Sequence, residues 1–197
     1  SYTDRSLIQD HELSVFGLGL HENDSEKTVT SNRDLITAGI TVKKLRKAGR
    51  FDYLVESVYQ FGESRKSKKI TDKVDLEHFA HFQRVEIGFS APVIYTPRVA
   101  LEYDYASGDS NGNDNRNGRF DSLFGARRFD YGPTGIYGPF KRSNLNSIGL
   151  RITVKPSRFT EFMSSYRGFW RASKSDAWVA SGISDVANIA PRFLGQQ

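Results

Sequence analysis

The sequence predicts an all-β protein, part of a transmembrane antiparallel up-and-down β-barrel, and three patterns predict it. Apolar and polar residues alternate over runs of roughly ten positions, the period-2 signature of a strand with one greasy and one wet face. Connections between these runs are alternately short and long, like the periplasmic turns and extracellular loops of an outer-membrane barrel. Aromatic residues gather at the ends of the apolar faces, where such a barrel carries its interfacial girdles.

The first strand is expected over His11 to His21, with Leu13 and Val15 on one face and Phe16, Leu18 and Leu20 on the other, a pattern that leaves its register open. A polar loop, Asn23 to Arg33, follows. Asp34 to Lys44 sets Ile36, Ala38, Ile40 and Val42 against Thr37, Gly39, Thr41 and Lys43. After the short connection Lys47-Ala48-Gly49-Arg50, Phe51 to Phe61 places Phe51, Tyr53, Val55, Tyr59 and Phe61 opposite Asp52, Glu56 and Gln60. That face is aromatic at both ends and aliphatic in the middle, the order expected of a lipid-crossing strand. A charged loop, Glu63 to Asp75, leads to a fourth strand over Glu77 to Ala91, with Val85, Ile87 and Phe89 opposing Arg84, Glu86 and Ser90.

Pro92 and Pro97 bracket a turn into Val99 to Ala106, where Val99, Leu101, Tyr103 and Tyr105 oppose Glu102 and Asp104. A long Gly/Asn/Asp loop then runs over 107–144, with Gly132-Pro133 and Gly138-Pro139 suggesting an ordered segment that folds into the lumen as a gate. Asn146 to Lys155 alternates Ile148, Leu150, Ile152 and Val154 against Ser147, Gly149, Arg151, Thr153 and Lys155. Across a Pro156-Ser157 turn, Phe159 to Ala172 sets Phe162, Tyr166 and Trp170 against Glu161, Arg167 and Arg171. Phe193 to Gln197 reads as the opening of another strand. The whole, 1–197, is therefore one partial barrel domain of about seven strands and the start of an eighth. Ser1-Tyr2-Thr3-Asp4 carries no signal-peptide pattern, so the chain is expected to be a fragment of a longer protein whose remaining strands close the sheet.

Composition narrows the class. Mean hydropathy is −0.52 with 38% hydrophobic residues, a balance that suits a barrel because only every second strand residue faces lipid. No apolar run is long enough for a transmembrane helix. The absence of cysteine excludes a disulfide scaffold and a cysteine-ligated metal. A net charge of +5 permits an acidic partner without by itself requiring one.

Three blocks in order, LEYDYASGDSNGNDNRNGRFDSLFG, RSNLNSIGLRITVKP and FWRASKSDAW, cover roughly the second half of the chain and resemble the alginate-export family of outer-membrane β-barrels. Residues 1 to 97 share only the strand pattern. The resemblance implies a wide channel of more than a dozen strands that exports an acidic exopolysaccharide past an arginine-rich constriction, delivered by periplasmic secretion components.

On the alternation, Lys43, Arg84, Arg151, Lys155, Arg167 and Arg171 fall on the wet face as a polyanion path, with Glu56, Glu86, Glu102, Asp104 and Glu161 among them. Cations there would replace counterions around polyuronate carboxylates, and the acids would orient the guanidinium forks. The competing reading is that these charges satisfy one another inside a polar lumen. Arg116, Arg119, Arg127, Arg128, Lys141 and Arg142 stand in the loop, suited to recruiting polyanion at the mouth or to binding lipopolysaccharide phosphates. Outer-membrane lipid and acidic polysaccharide are the expected partners, and nucleic acid is not.

No cofactor is expected. Asp109, Asn111 and Asn113 have the one-three-five spacing of a calcium loop, but Asp114 stands where Gly is needed and Phe120 where Glu is needed. Asx turns in a solvated loop are the preferred reading, with a looser calcium site behind it. His78 and His81 fall on opposite faces of a strand and are expected to be polar surface histidines. No nucleophile motif appears, which leaves Glu161 with Glu102 as the only catalytic candidate for an outer-membrane enzyme. An uptake porin shares the fold evidence, and a soluble β-sandwich accommodates the strands but not the loop alternation.

Overall fold

In the computed structural model, which describes residues 1–4, 9–25, 28–67, 69, 71–123, 141–176 and 195–196, the chain forms one antiparallel meander. The strands are β1 (Tyr2–Asp4), β2 (His11–His21), β3 (Asp34–Lys44), β4 (Phe51–Arg65), β5 (Asp75–Ser90), β6 (Arg98–Ala106), β7 (Arg116–Asn117), β8 (Leu145–Ser157), β9 (Thr160–Trp170) and β10 (Gly195–Gln196). Each pairs with the next in sequence except β7, which leaves the path to pair parallel with the start of β5. No ladder joins β1 to β10 among the described residues, so this sheet does not close on itself.

Register settles the faces. Paired residues share a face, so Glu102 of β6 stands in one transverse row with Glu86 of β5, Leu54 of β4, Lys43 of β3 and Glu12 of β2. The first strand, left open by its pattern, therefore turns Phe16, Leu18 and Leu20 to the polar side. The opposite face carries exposed apolar side chains throughout, including Ile36, Ile87, Leu101 and Ile148. Rings border this band at both ends: Phe51 with Phe89 (5.0 Å) near the short turns, Phe61 with Phe79 (5.4 Å) and His81 with Tyr105 (5.4 Å) near the long loops. From Phe51 to Phe61 the chain climbs about 34 Å along the strand. At a tilt of ~40° this matches an apolar band of about 25 Å. The aliphatic face bounded by two aromatic girdles is the lipid-facing surface of a transmembrane barrel wall.

Two strands outrun their predicted ends. Beyond Phe61, Gly62-Glu63-Ser64-Arg65 lacks apolar alternation, yet β4 keeps pairing with β5 to Arg65 opposite Asp75. Backbone ladders need no apolar side chains once the strand has left the lipid, and Gly62 bends it there at φ 141°.

The inner face holds a small apolar core at the long-loop end, made by Val58, Ala80, Phe82, Ala106, Leu145 and Phe169, with Phe16 beside it. The loop after β6 turns inward to cover it: Phe120 docks on Phe82 at 5.7 Å, and Gln60 exchanges hydrogen bonds of 2.8 Å with the backbone N–H and carbonyl of Asp121. The Gly-Pro pairs at 132–133 and 138–139 lie outside the described residues.

Candidate functional site

The inward row of β6 carries Arg98, Ala100, Glu102 and Asp104. Burying charges on a sheet face requires partners, and register supplies them from both sides. Two glycines make room for the long side chains to lie flat. Gly149 stands opposite Glu102 on β8, and Arg167 of β9 passes over it; a Cβ at Gly149 would sit 2.9 Å from its Nε. Gly88 of β5 gives the same clearance to Arg98, whose guanidinium a Cβ there would strike.

Arg167 donates to Asp104 at 2.5 Å and to Glu102 through its second amino group. Arg151 approaches the same Glu102, Nε to Oε1 2.9 Å. Arg98 grips Asp52 in a bidentate pair of 3.0 and 2.5 Å and reaches Glu86 at 2.7 Å. Arg84 joins the two halves, 3.5 Å from Glu86 and 3.8 Å from Asp104. Arg46, from the short turn, adds a contact of 3.2 Å to Glu86. Arg142, at the end of the long loop, lies 4.0 Å from Glu56 and 4.5 Å over the ring of Phe82.

The cluster is layered. Glu102 and Asp104 are 1% and 0% exposed, against 15% for Arg84 and 25% for Arg151. Glu102 and Asp104 lie against the sheet with Arg98 and Arg167 buried beside them, Arg84 and Arg151 lie over them, and Glu56 is about as open as Arg84. In all, five carboxylates, Asp52, Glu56, Glu86, Glu102 and Asp104, meet six arginines in the cluster.

Of the residues singled out in the sequence, this cluster brings together Glu56, Arg84, Glu86, Glu102, Asp104, Arg142, Arg151 and Arg167. Lys43 lies on the same face of β3, in the row of Glu86 and Glu102. Lys155 and Glu161 pair with each other at 2.8 Å beside the short turn between β8 and β9. That separates Glu161 from Glu102 by roughly six residues of strand, or about 20 Å, too far for the two carboxyls to act on one bond. Arg171 is buried and donates to the carbonyls of Lys174 and Asp176. Arg116 makes an exposed pair with Glu77, and Arg119 donates to Asp176. Arg127 and Arg128 lie outside the described residues.

In the loop, the Asp109 carboxylate accepts the N–H of Asn111 and the Asn111 side chain accepts that of Asn113, so the one-three-five run forms Asx turns. His78 corrects the expectation of a surface histidine. It is 3% exposed, because the inward-turned loop and β7 cover the start of β5.

Sequence reasoning passed over Arg98, Arg46 and Phe120, placed Asp52 on the wet face without a role, and read Arg142 as a residue of the mouth. A signal for Arg98 was present, since it shares its parity with Glu102 and Asp104. None marked Arg46, or the reach of Arg142 into the cluster, because both come from connections.

At the long-loop rim a second set of pairs holds the connections down. Arg33 bonds Glu22 and Asp121, and Arg65 bonds Asp24 at 2.5 Å. The Arg33 hydrogen bond holds the Glu22 carboxyl below the usual carboxylate range. The Thr30 N–H, and then Arg65, do the same for Asp24.

Compared with known proteins, residues 1–196 match the family described as alginate export. No curated protein matches the chain.

Proposed function

The chain belongs to the alginate-export family of outer-membrane β-barrels, and from this we infer that its inner face is part of a passive path for an acidic exopolysaccharide, alginate or a related polyuronate. The family comprises porin-type polysaccharide exporters rather than enzymes. The observation that carries the finer reading is the layering at the centre of the charge cluster, Glu102 and Asp104 against the sheet with the guanidiniums of Arg84 and Arg151 over them.

Guanidinium forks suit carboxylates geometrically, so a polyuronate would exchange one bidentate contact for the next as it slides. The acids beneath keep each fork partly engaged, which stops any one contact from trapping the polymer. Conduction needs binding strong enough to admit the solute and weak enough to release it. In this reading Arg151 and Arg84, with Lys43 from the row of Glu86 and Glu102, face the polymer, and Arg167 and Arg98 hold the acidic layer in place. Lys155 and Glu161 flank the periplasmic turn, and Arg171 supports the rim.

No cofactor enters the proposal. The outer face contacts lipid, Arg116 and Arg119 with Arg127 and Arg128 serve the mouth and its lipopolysaccharide, and periplasmic secretion components supply the polymer. Nucleic acid has no part in it.

Planar-bilayer conductance of the full-length protein tests this. Anion preference, with block by polyuronate but not by a neutral polysaccharide of equal length, is expected, and Arg151→Gln should weaken the block. Cation preference, or equal block by both polymers, would refute it.

A further inference from the structure

We propose that a cavity at the long-loop rim is a separate binding site for one or two carboxylated sugar residues, read by His78; the inference rests on the acidic-polymer reading above and adds a station to it. The cavity encloses about 540 Å³ between the loop after β2, the end of β4, the start of β5 and residues 117–123. That volume is within the range of small-molecule sites, and an inorganic anion would fill little of it.

His78 lines this cavity from β5 and is 3% exposed, yet neither ring nitrogen has a hydrogen-bond partner among the described residues. Buried polar side chains are nearly always bonded, and two orphaned nitrogens on one ring ask for a ligand or water that bonds them. A neutral imidazole offers one donor and one acceptor, and its protonated form two donors. Either form suits a sugar acid, whose hydroxyls donate and accept and whose carboxylate accepts.

The rest of the wall has the same character. Arg33, Arg65 and Arg119 line it, each braced from behind by a carboxylate partner, so their forks are fixed in place. With Lys66 and Lys141, five cationic side chains line the cavity. Four carboxylates balance them when Asp24 and Asp176, which stand behind Arg65 and Arg119, are counted with Glu22 and Asp121. The lining itself presents five cations against two carboxylates, Glu22 and Asp121, the sign that draws an incoming carboxylate. Six hydroxyl side chains and the Asn117 amide complete the polar lining, the donors and acceptors that recognise a sugar rather than a bare anion. Phe120 closes the inner side with its ring. The site stands on the long-loop side, the outer mouth of a barrel, where a departing polymer end would rest.

The test uses full-length protein in lipid nanodiscs with 15N-labelled histidine, titrated with a uronate disaccharide and with its neutral counterpart. The His78 resonances, assigned by their loss in His78→Gln, should shift with the uronate only. His78→Leu should weaken disaccharide binding by about tenfold, the value of one well-placed bond, and His78→Gln by less. Circular dichroism verifies that both variants fold, and the wild-type titration stands without them. No shift with the uronate, or equal shifts with both sugars, overturns the site. Failure of the export reading shows separately, as absent block by the long polymer in bilayers, a measurement that leaves the imidazole shift unaffected.

Discussion

Replacing Arg167 by Gln should destabilise the barrel far more than it changes conduction. Arg167 is 4% exposed and is the group that binds both Glu102 and Asp104, themselves 1% and 0% exposed. Glutamine keeps some hydrogen bonding but removes the positive charge, which leaves two carboxylates in adjacent inward positions of one strand with Arg151 and Arg84 as their remaining cations. Breaking a buried pair by deleting one partner costs about 3–5 kcal/mol, most of it from the stranded charge. Retained contact from Arg151 at 2.9 Å holds the expectation to the lower end, about 3 kcal/mol. Adding Asp104→Asn to Arg167→Gln removes one stranded charge and should recover more than half of the loss, so the two substitutions are strongly non-additive. Urea unfolding of the full-length protein in lipid vesicles, followed by tryptophan fluorescence, measures both. A loss under about 0.5 kcal/mol for Arg167→Gln, or additive effects in the pair, would show that the acids are not held by Arg167 and refute the layered account.

Three further outcomes are expected. Phe120→Ala removes the ring that docks on Phe82, so residues 107–123 should become protease-sensitive and single-channel conductance should rise; an unchanged cleavage pattern would mean the backbone bonds to Gln60 suffice. The Glu22 carboxyl is held low by Arg33, so the stability it contributes is fully present above the ordinary glutamate range and is lost only as pH falls through the lowered folded value. Amide protection factors in the loop after β2, which correct exchange for its intrinsic slowing in acid, should hold at pH 5 and fall only below the ordinary glutamate range, and a fall already at pH 6 would contradict the pairing. Asn144→Ala deletes side-chain bonds to the carbonyls of Ser173 and Asp176 and from the N–H of Ser173, at a cost of about 1–3 kcal/mol, which should appear as faster exchange in residues 107–123 and 171–176.

Strands and faces were legible because lipid enforces them. Each substitution of a polar residue at Ile36, Leu101 or Ile148 would face hydrocarbon, so the alternation is clean and gives register-consistent faces for β3 to β9. The same rule does not operate inside the barrel, where Phe82, Leu145 and Phe169 lie among charges, and nothing local announces that a loop phenylalanine covers them. His78 was misjudged for that reason: its burial comes from β7 and Phe120, roughly forty residues away in sequence. The ends of β4 and β5 were set too short because apolar alternation stops at the membrane surface while the hydrogen-bond ladder continues beyond it. For the charged cluster, alternation delivered the acids and three of the arginines, but the pairing depends on Gly88 and Gly149, whose role is visible only once neighbouring strands are in register.

The three blocks that resemble the family meet in space, and where they meet separates framework from path. Asn144, from the second block, accepts the N–H of Ser173 in the third, at 2.7 Å, and its own N–H donates to Ser107 in the first. Asp176 of the third block accepts from the Asp109 N–H and from Arg119 of the first. Ser175 donates to the carbonyls of Asp109 and Ser110. Much of what makes these blocks recognisable is thus a polar knot at the outer rim that turns the loop inward and sets Phe120 over the apolar core. Each of these bonds has a backbone partner or a buried carboxylate, so few residue types can replace Asn144 or Asp176, which gives the blocks their specificity. On the proposed reading, the more open arginines Arg84 and Arg151 face fewer constraints, because charge density rather than one geometry would govern a sliding polymer. Family-level resemblance therefore fixes the loop architecture more tightly than it fixes the polymer, and on the proposed reading selectivity is to be sought in Arg84 and Arg151, only the second of which stands in a recognisable block.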